Sequence, residues 1–366
     1  MPTVAKIEYV RKSRHRLPTG TLGITKSHDE ETIYAACIDG VYQLNAQTGE
    51  IEKLYDHQSY ASNVSVIPNS NFLVSSGYDG IIKWYDLTKR AVVRHLRAHK
   101  FWSWSMDCSS DGKRLASSTG QYLAGSYKYE PAAETEPSVK IFDAMTGNVL
   151  HELTHVPSVQ AVAFSPDGRH VAAGNIMGEI RVWDAISGDL ILNWTTPDFT
   201  SWGIIKSHCY IGGIFDLCFS RDGEHLLAAG MGPMRDPMAG NGRQLWQRFA
   251  WMNEPVEKID ETKKKQSGEG LMETLTFSSS GDTFLMGGRL RGGKWNSALF
   301  DSKSGNLVQS LNTGYRMTDS SFSNDDRLLF TSGCYKQKQP KEGKDNSWGV
   351  VDIFELKTQG DDASAT

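Results

Sequence analysis

Between His155 and Leu192 the chain reads HVPSVQAVAFSPDGRHVAAG, then a turn, then EIRVWDAISGDLIL. Apolar residues alternate with small or polar ones in runs of five or six, the period-two pattern of strands with one buried face. Asp167-Gly168 and Ser187-Gly188 are turn pairs between such runs. The unit predicts four short antiparallel strands, a to d in chain order. The same pattern returns around FLVSSGYDGIIKWYD in Val64–Asp86, in MDCSSDGKRLASS with SVKIFDAMTGNVL after His99, and in LCFSRDGEHLLAAG with RQLWQ. It returns again in LTFSSSGDTFLMGG with ALFDSKSGNLV, and in SSFSNDDRLLFTSG with VVDIFEL. A degenerate first copy, ETIYAACIDGVYQLNAQTGEI, brings the number to seven.

The copies share a closing dipeptide on strand c: Tyr85-Asp86, Phe142-Asp143, Trp183-Asp184, Phe300-Asp301 and Phe354-Glu355, with departures at Leu44-Asn45 and Trp246-Gln247. His99 and His155, and more loosely His57, precede strand a. In these features the chain resembles the WD40 family over nearly its whole length. The resemblance implies an all-β, seven-bladed β-propeller over residues 1–358; residues 359–366 are small, polar and acidic, which predicts a disordered acidic tail. A four-stranded sheet cannot cover both of its faces, whereas a closed ring of sheets covers them all. The last copy lacks a strand d, and the β-like stretch Thr3–Arg11 precedes the first. The sequence therefore predicts that this stretch completes the last blade.

Strands within a blade alternate in direction, so all b–c and d–a connections leave on one face, here the upper face. The a–b and c–d turns on the other face are short, and Gly49, Gly147, Gly188 and Gly305 close four of them. The long excursions are b–c loops at Thr119–Pro137, Met231–Gly242, Gly288–Asn296 and Cys334–Ser347, and d–a links at Pro197–Gly213 and Glu261–Gly270. All six fall on the upper face by this parity, and loops of such length are uncommon unless functional or disordered. Aromatic and arginine side chains dominate binding hot spots. The candidate contacts are accordingly Trp102, Trp104, Tyr122, Tyr127, Tyr129, Trp202, Arg235, Arg289, Arg291, Trp295, Tyr335 and Lys336, with Phe199 and Tyr210 nearby. The loops of blades 5 to 7 are basic, including the Lys263–Lys265 run, and that of blade 3 is acidic. This polarity would orient a partner carrying an acidic segment.

The 366 residues carry a formal charge of −4, which argues against a general nucleic-acid binder. No apolar run is long enough to span a bilayer, and no secretory signal opens the chain. Five cysteines without a CxxC pair suit a reducing compartment, so a cytoplasmic, monomeric protein is expected. The glycosylation patterns at Asn63 and Asn193 carry little weight there. Gly288–Lys294 matches a phosphate loop up to its lysine, but Trp295 follows and no helix can. His95/His99 and His151/His155 have a spacing that aligns ligands only on a helix, so structural roles are expected. No metal, cofactor or catalytic constellation is expected. The function predicted is a non-catalytic scaffold that binds a protein or peptide on the upper face. The alternative is an enzyme or small-ligand binder using the central funnel, for which His208, Cys209, Asp216 and Glu273 are the residues to inspect. Convergent carboxylates, histidines or a metal there would favour it, and a ring of Ser, Thr and apolar residues would favour the scaffold.

Overall fold

The computed structural model describes residues 7–121, 133–199, 213–236, 241–290, 293–335 and 348–358. Among them, twenty-eight strands form seven four-stranded antiparallel sheets, and Pro197–Phe199 is a lone 3-10 turn. The fold is the seven-bladed propeller that the repeats imply. The innermost strands are Thr21–Lys26, Ala61–Val66, Ser105–Cys108, Val159–Phe164, Gly213–Phe219, Gly270–Phe277 and Arg316–Phe322. No helix among the described residues is long and apolar enough to cross a membrane.

The core is divided into seven apolar clusters among the described residues, each lying between two adjacent blades. Val171 and Trp183 of blade 4 pack with Ile141 and Val139 of blade 3, for example, and Leu17, Phe330 and Ile353 of blade 7 pack with Ile33 and Leu44 of blade 1. Every sheet therefore has both faces covered, which is why one blade could not persist alone.

Ring closure differs in extent from the expected Thr3–Arg11. The closing strand is Ile7–Leu17, paired antiparallel with Trp348–Thr358, and residues 3–6 lie outside the described residues. Its second half, Lys12–Leu17, is basic and polar and shows no apolar alternation. It is held by charge instead. Arg14 donates from Nε and Nη2 to the two oxygens of Asp352, each at 2.7 Å, and the Asp352 side chain has no solvent exposure. The Arg16 guanidinium lies 4.1 Å from the Trp348 ring centroid.

Blade 5 corrects the expected dipeptide. Leu226 pairs with Phe249, as Val171 pairs with Trp183 in blade 4. The closing positions are therefore Phe249-Ala250, not Trp246-Gln247. Trp246 sits three residues higher and is a core side chain, edge-on to Phe284 and Phe300 of blade 6. In blades 2, 3 and 4 the closing Asp accepts two backbone N–H groups of the c–d turn, as Asp184 does from Ile186 and Ser187. Ala250 cannot, and the turn that follows is built differently, with Trp251 Nε1 donating to Gly223 O.

The excursions are also shorter than the sequence suggested. Strands Leu226–Asp236 and Asn241–Ala250 run on as a hairpin through most of the expected Met231–Gly242 loop. Strand Thr283–Leu290 extends into the expected Gly288–Asn296 loop, and Leu328–Tyr335 into Cys334–Ser347. The Glu261–Gly270 link does not stand free on the upper face. Lys263 Nζ donates to Ser304 O at 3.1 Å, and Leu307 N to Gln266 Oε1 at 3.1 Å, so the link lies along the c–d turn of blade 6.

The family histidines form unequal networks. His57, matched only loosely in sequence, is the best supported: Nδ1 meets Asp79 Oδ2 at 3.1 Å and Nε2 meets Ser75 Oγ at 2.8 Å. His99 keeps the serine contact, to Ser117 at 3.0 Å. His155 reaches only Ala173 O, at 3.3 Å. Nδ1 of His99 and of His155 has no partner among the described residues. In blade 4, Met177 occupies the place that Asp79 holds in blade 2, which removes the acceptor. Burial, followed by the nearby cations Lys140 and Arg181, pushes the two imidazoles down to about 3, so both are neutral. The spaced pairs are structural: His151 Nε2 contacts Ile186 O at 2.8 Å.

Candidate functional site

Each innermost strand carries a local irregularity near its upper end. Pairing with strand b skips one residue in six blades: Leu22, Ser62, Gln160, Phe215, Glu273 and Thr318. In blade 3 the equivalent residue is Trp104, just ahead of the strand. A bulge re-aims its side chain and lets two successive residues face one side. These seven positions, one from each blade, all line a cavity of about 200 Å³ on the propeller axis. Asn63, Ser105, Asp216 and Asp319 follow them on the same strands and also line it, together with Tyr78 and Arg316.

Glu273 and Arg316 face each other across blades 6 and 7. Arg316 Nε lies 2.8 Å from both carboxylate oxygens, and Nη2 lies 2.8 Å from Oε2. The attraction of Glu273 holds the guanidinium above its ordinary range. Asp216 and Asp319 latch neighbouring blades. Asp216 Oδ2 accepts Leu275 N at 2.6 Å, and Asp319 Oδ2 accepts Ile24 N at 2.7 Å. Lower on its strand, Asp107 Oδ2 accepts Phe164 N at 2.7 Å. These backbone bonds favour the charged forms, but burial outweighs them. Asp107 and Asp319 are pushed up to about 6, and Asp216 is raised well above its ordinary value, with Asp319 and Asp107 adding repulsion.

The rim over blades 2 and 3 is aromatic. Trp102 stacks on Tyr78 at 4.7 Å between ring centroids and on Phe101 at 5.0 Å. Trp104 meets Tyr78 and Trp102 edge-on, and its Nε1 donates to Gly120 O at 2.9 Å. Tyr60 leans on Tyr78 at 5.7 Å. Trp102 is 40% exposed and Tyr60 44%, high for aromatic rings held in so many contacts. They form a fixed apolar corner open to solvent.

Of the residues singled out in the sequence, Trp102, Trp104, Asp216 and Glu273 converge on this mouth. Trp295 does not: it is 7% exposed, packs against Phe300 and belongs to the core between blades 5 and 6. Phe199 is likewise buried. Tyr335 stacks on Trp348 at 4.4 Å, away from the Trp102 corner. Arg289 sits in strand b of blade 6, paired with Leu271, and Arg235 in the extended strand b of blade 5. Arg243 is bridged to Glu261 at 3.1 Å. Tyr122, Tyr127, Tyr129, Trp202, His208, Cys209, Tyr210, Arg291 and Lys336 lie outside the described residues. Tyr60, Tyr78, Arg316 and Asp319 were missed. The signal that finds three of the mouth residues is position: Asp319 occupies the place of Asp216 in its repeat, Thr318 that of Glu273, and Tyr78 opens the b–c turn beside it.

Two segments, residues 49–86 and 147–184, match the WD domain, G-beta repeat model. The chain is 29% identical to rat (Rattus norvegicus) apoptotic protease-activating factor 1 over 204 residues, 55% of this chain and 15% of that protein. It is 25% identical to the Saccharomyces cerevisiae COMPASS component SWD3 over 193 residues, half of this chain and 56% of that protein. To the Candida albicans small ribosomal subunit protein RACK1 it is 26% identical over 140 residues, 36% of this chain and 39% of the relative. The matches thus span from about a seventh to just over half of these relatives.

Proposed function

Because this chain belongs to the WD40-repeat β-propellers, we propose that it is a non-catalytic scaffold that docks a protein or peptide on its upper face, anchored at the Trp102 corner. The observation that carries the reading is that corner. Trp102 and Tyr60 are exposed yet fixed by stacking on Tyr78, so they offer apolar area that loses little freedom on binding. Two of the relatives are named as parts of assemblies, a COMPASS component and a small ribosomal subunit protein. The axial cavity, at about 200 Å³, is smaller than the roughly 300 Å³ and upward typical of small-molecule sites, and suits one inserted side chain. Its carboxylates meet the criterion set for a ligand-binding funnel, but here they bind backbone amides or Arg316. Cys37, Cys108, Cys218 and Cys334 are unpaired thiols, which supports work in the reducing cytoplasm.

The test is affinity capture from native extract with wild type and Trp102→Ala/Tyr60→Ala, with partners identified by mass spectrometry. The variant should lose a defined set of partners while melting within a few degrees of wild type. Equal recovery by both proteins would remove the upper corner as the docking site.

A further inference from the structure

The axial mouth is not a neutral opening. Its donors are largely committed within the chain. Arg316 is held by Glu273, Thr318 Oγ1 donates to Thr21 O at 2.8 Å, and Trp104 Nε1 donates to Gly120 O. Asn63 Nδ2 donates to Trp104 O at 3.1 Å, and Gln160 Nε2 to Ser158 Oγ at 2.5 Å. Beside these bonds the lining offers acceptors: Asn63 Oδ1, Gln160 Oε1, and the carboxyl oxygens of Glu273, Asp216 and Asp319. Three carboxyl groups stand against one guanidinium. The aromatic wall adds an independent preference, because Trp104 and Tyr78 line the same cavity and ring faces attract cations.

We propose that this mouth takes the cationic side chain of one arginine or lysine of the bound peptide, whose flanking residues lie on the Trp102–Tyr60 corner. The inference rests on the upper face being the docking face and names the chemistry that face selects. A guanidinium or ammonium meets those acceptors with donors, and its positive charge favours the ionised forms of Asp216 and Asp319, which burial otherwise disfavours. The sign is opposite to that of the basic blade 5–7 loops, so the mouth and the outer loops select different parts of a partner. An acidic side chain inserted here would meet three carboxyl groups and a guanidinium already paired with Glu273.

Two measurements test it. Immobilised blocked heptapeptide pools, X3-Z-X3 with Z as Arg, Lys, citrulline or Glu, are offered to the full chain. Wild type should be retained about tenfold more on the Arg or Lys pool than on citrulline, which keeps the shape and removes the charge. Gln160→Lys, which brings the chain's own cation into the mouth, should abolish that preference. The second measurement needs no variant. Acetyl-argininamide should shift the Trp104 indole N–H resonance in a saturable way, and acetyl-citrullinamide should not. Equal retention on the Arg, Lys and citrulline pools, preference for the Glu pool, or equal shifts with the two amides would overturn the proposal. If the pools are retained equally but Trp102→Ala lowers retention on all of them, the docking face stands and the cation preference falls. If Trp102→Ala leaves retention unchanged on every pool, the docking face itself falls.

Discussion

Arg14 and Asp352 are 338 residues apart in sequence and joined by two hydrogen bonds of 2.7 Å. The carboxylate is fully buried and the guanidinium about one-third exposed, so the pair is sheltered and bidentate. Arg14→Ala leaves Asp352 with a 3.9 Å contact to Arg11 and the neighbouring Tyr315 hydroxyl. Removing one partner of such a pair costs about 3 kcal/mol. We expect Arg14→Ala and Asp352→Ala to lower the urea midpoint by a corresponding amount, and a simple double-mutant cycle to give strong coupling. Surface pairs such as Lys12–Glu355, 3.8 Å apart and half-exposed on the lysine side, should show almost none.

The orphaned Nδ1 of His155 offers a gain rather than a loss. Met177→Asp should restore in blade 4 the acceptor that Asp79 gives His57 in blade 2, and stabilise the fold by about 1 kcal/mol. The same change should raise the His155 titration from about 3 toward its ordinary range, read by NMR. A melt unchanged or lowered, with no movement of the imidazole titration, would count against the assignment.

Acid response follows from two sets of buried groups with opposite signs. His99 and His155 take a proton below about 6.5 when unfolded but only near 3 when folded, so each costs stability as pH falls through that window. Asp107 and Asp319 bind a proton below about 6 in the fold but only below 3.8 when unfolded, so each adds stability between those values. The slopes, up to about 1.4 kcal/mol per pH unit per group, oppose one another between pH 6 and 4. Below 3.8 the histidines act without that offset, joined by turn carboxylates such as Asp184 and Asp143, whose backbone bonds hold them below their ordinary range. Asp216, raised by burial as well, acts in the same direction as Asp107 and Asp319, so urea midpoints should change little from pH 6 to 4 and fall steeply below. Asp107→Asn/Asp319→Asn should steepen the first segment; an unchanged slope would show that these carboxyls titrate normally.

The two tryptophans of the blade 3 approach should separate in their stability effects. Trp102→Ala removes a ring that is 40% exposed and should cost about 1 kcal/mol. Trp104→Ala removes a cavity wall and the bond to Gly120 O, and Trp246→Ala empties a fully buried site, so about 3 kcal/mol is expected for each. Thermal melts of the three variants check the order. A Trp246→Ala effect as small as that of Trp102→Ala would count against its place in the core between blades 5 and 6.

The number of blades was readable because period-two alternation and turn glycines repeat in register. The errors arose where a local signal imitated a repeated one. Trp246-Gln247 resembles the closing dipeptide, but the backbone pairing of Leu226 with Phe249 decides the register. Lys12–Leu17 hides its strand because charge pairs and a cation–ring contact hold it, not an apolar stripe. Asp216 and Glu273 could be named as funnel residues from strand position. Arg316 could not, because its role depends on the contact with Glu273 of the neighbouring blade.

The pairing of Ile7–Leu17 with Trp348–Thr358 has a consequence for biogenesis. Ile7–Leu17 is made before every other strand of the ring and must wait for Trp348–Thr358 before it finds its partner, and until then blades 1 and 7 each keep a wet flank. Such distant pairings make folding slow. A nascent chain at that stage would be a natural client for chaperones, and an arrested one a ready seed for aggregation.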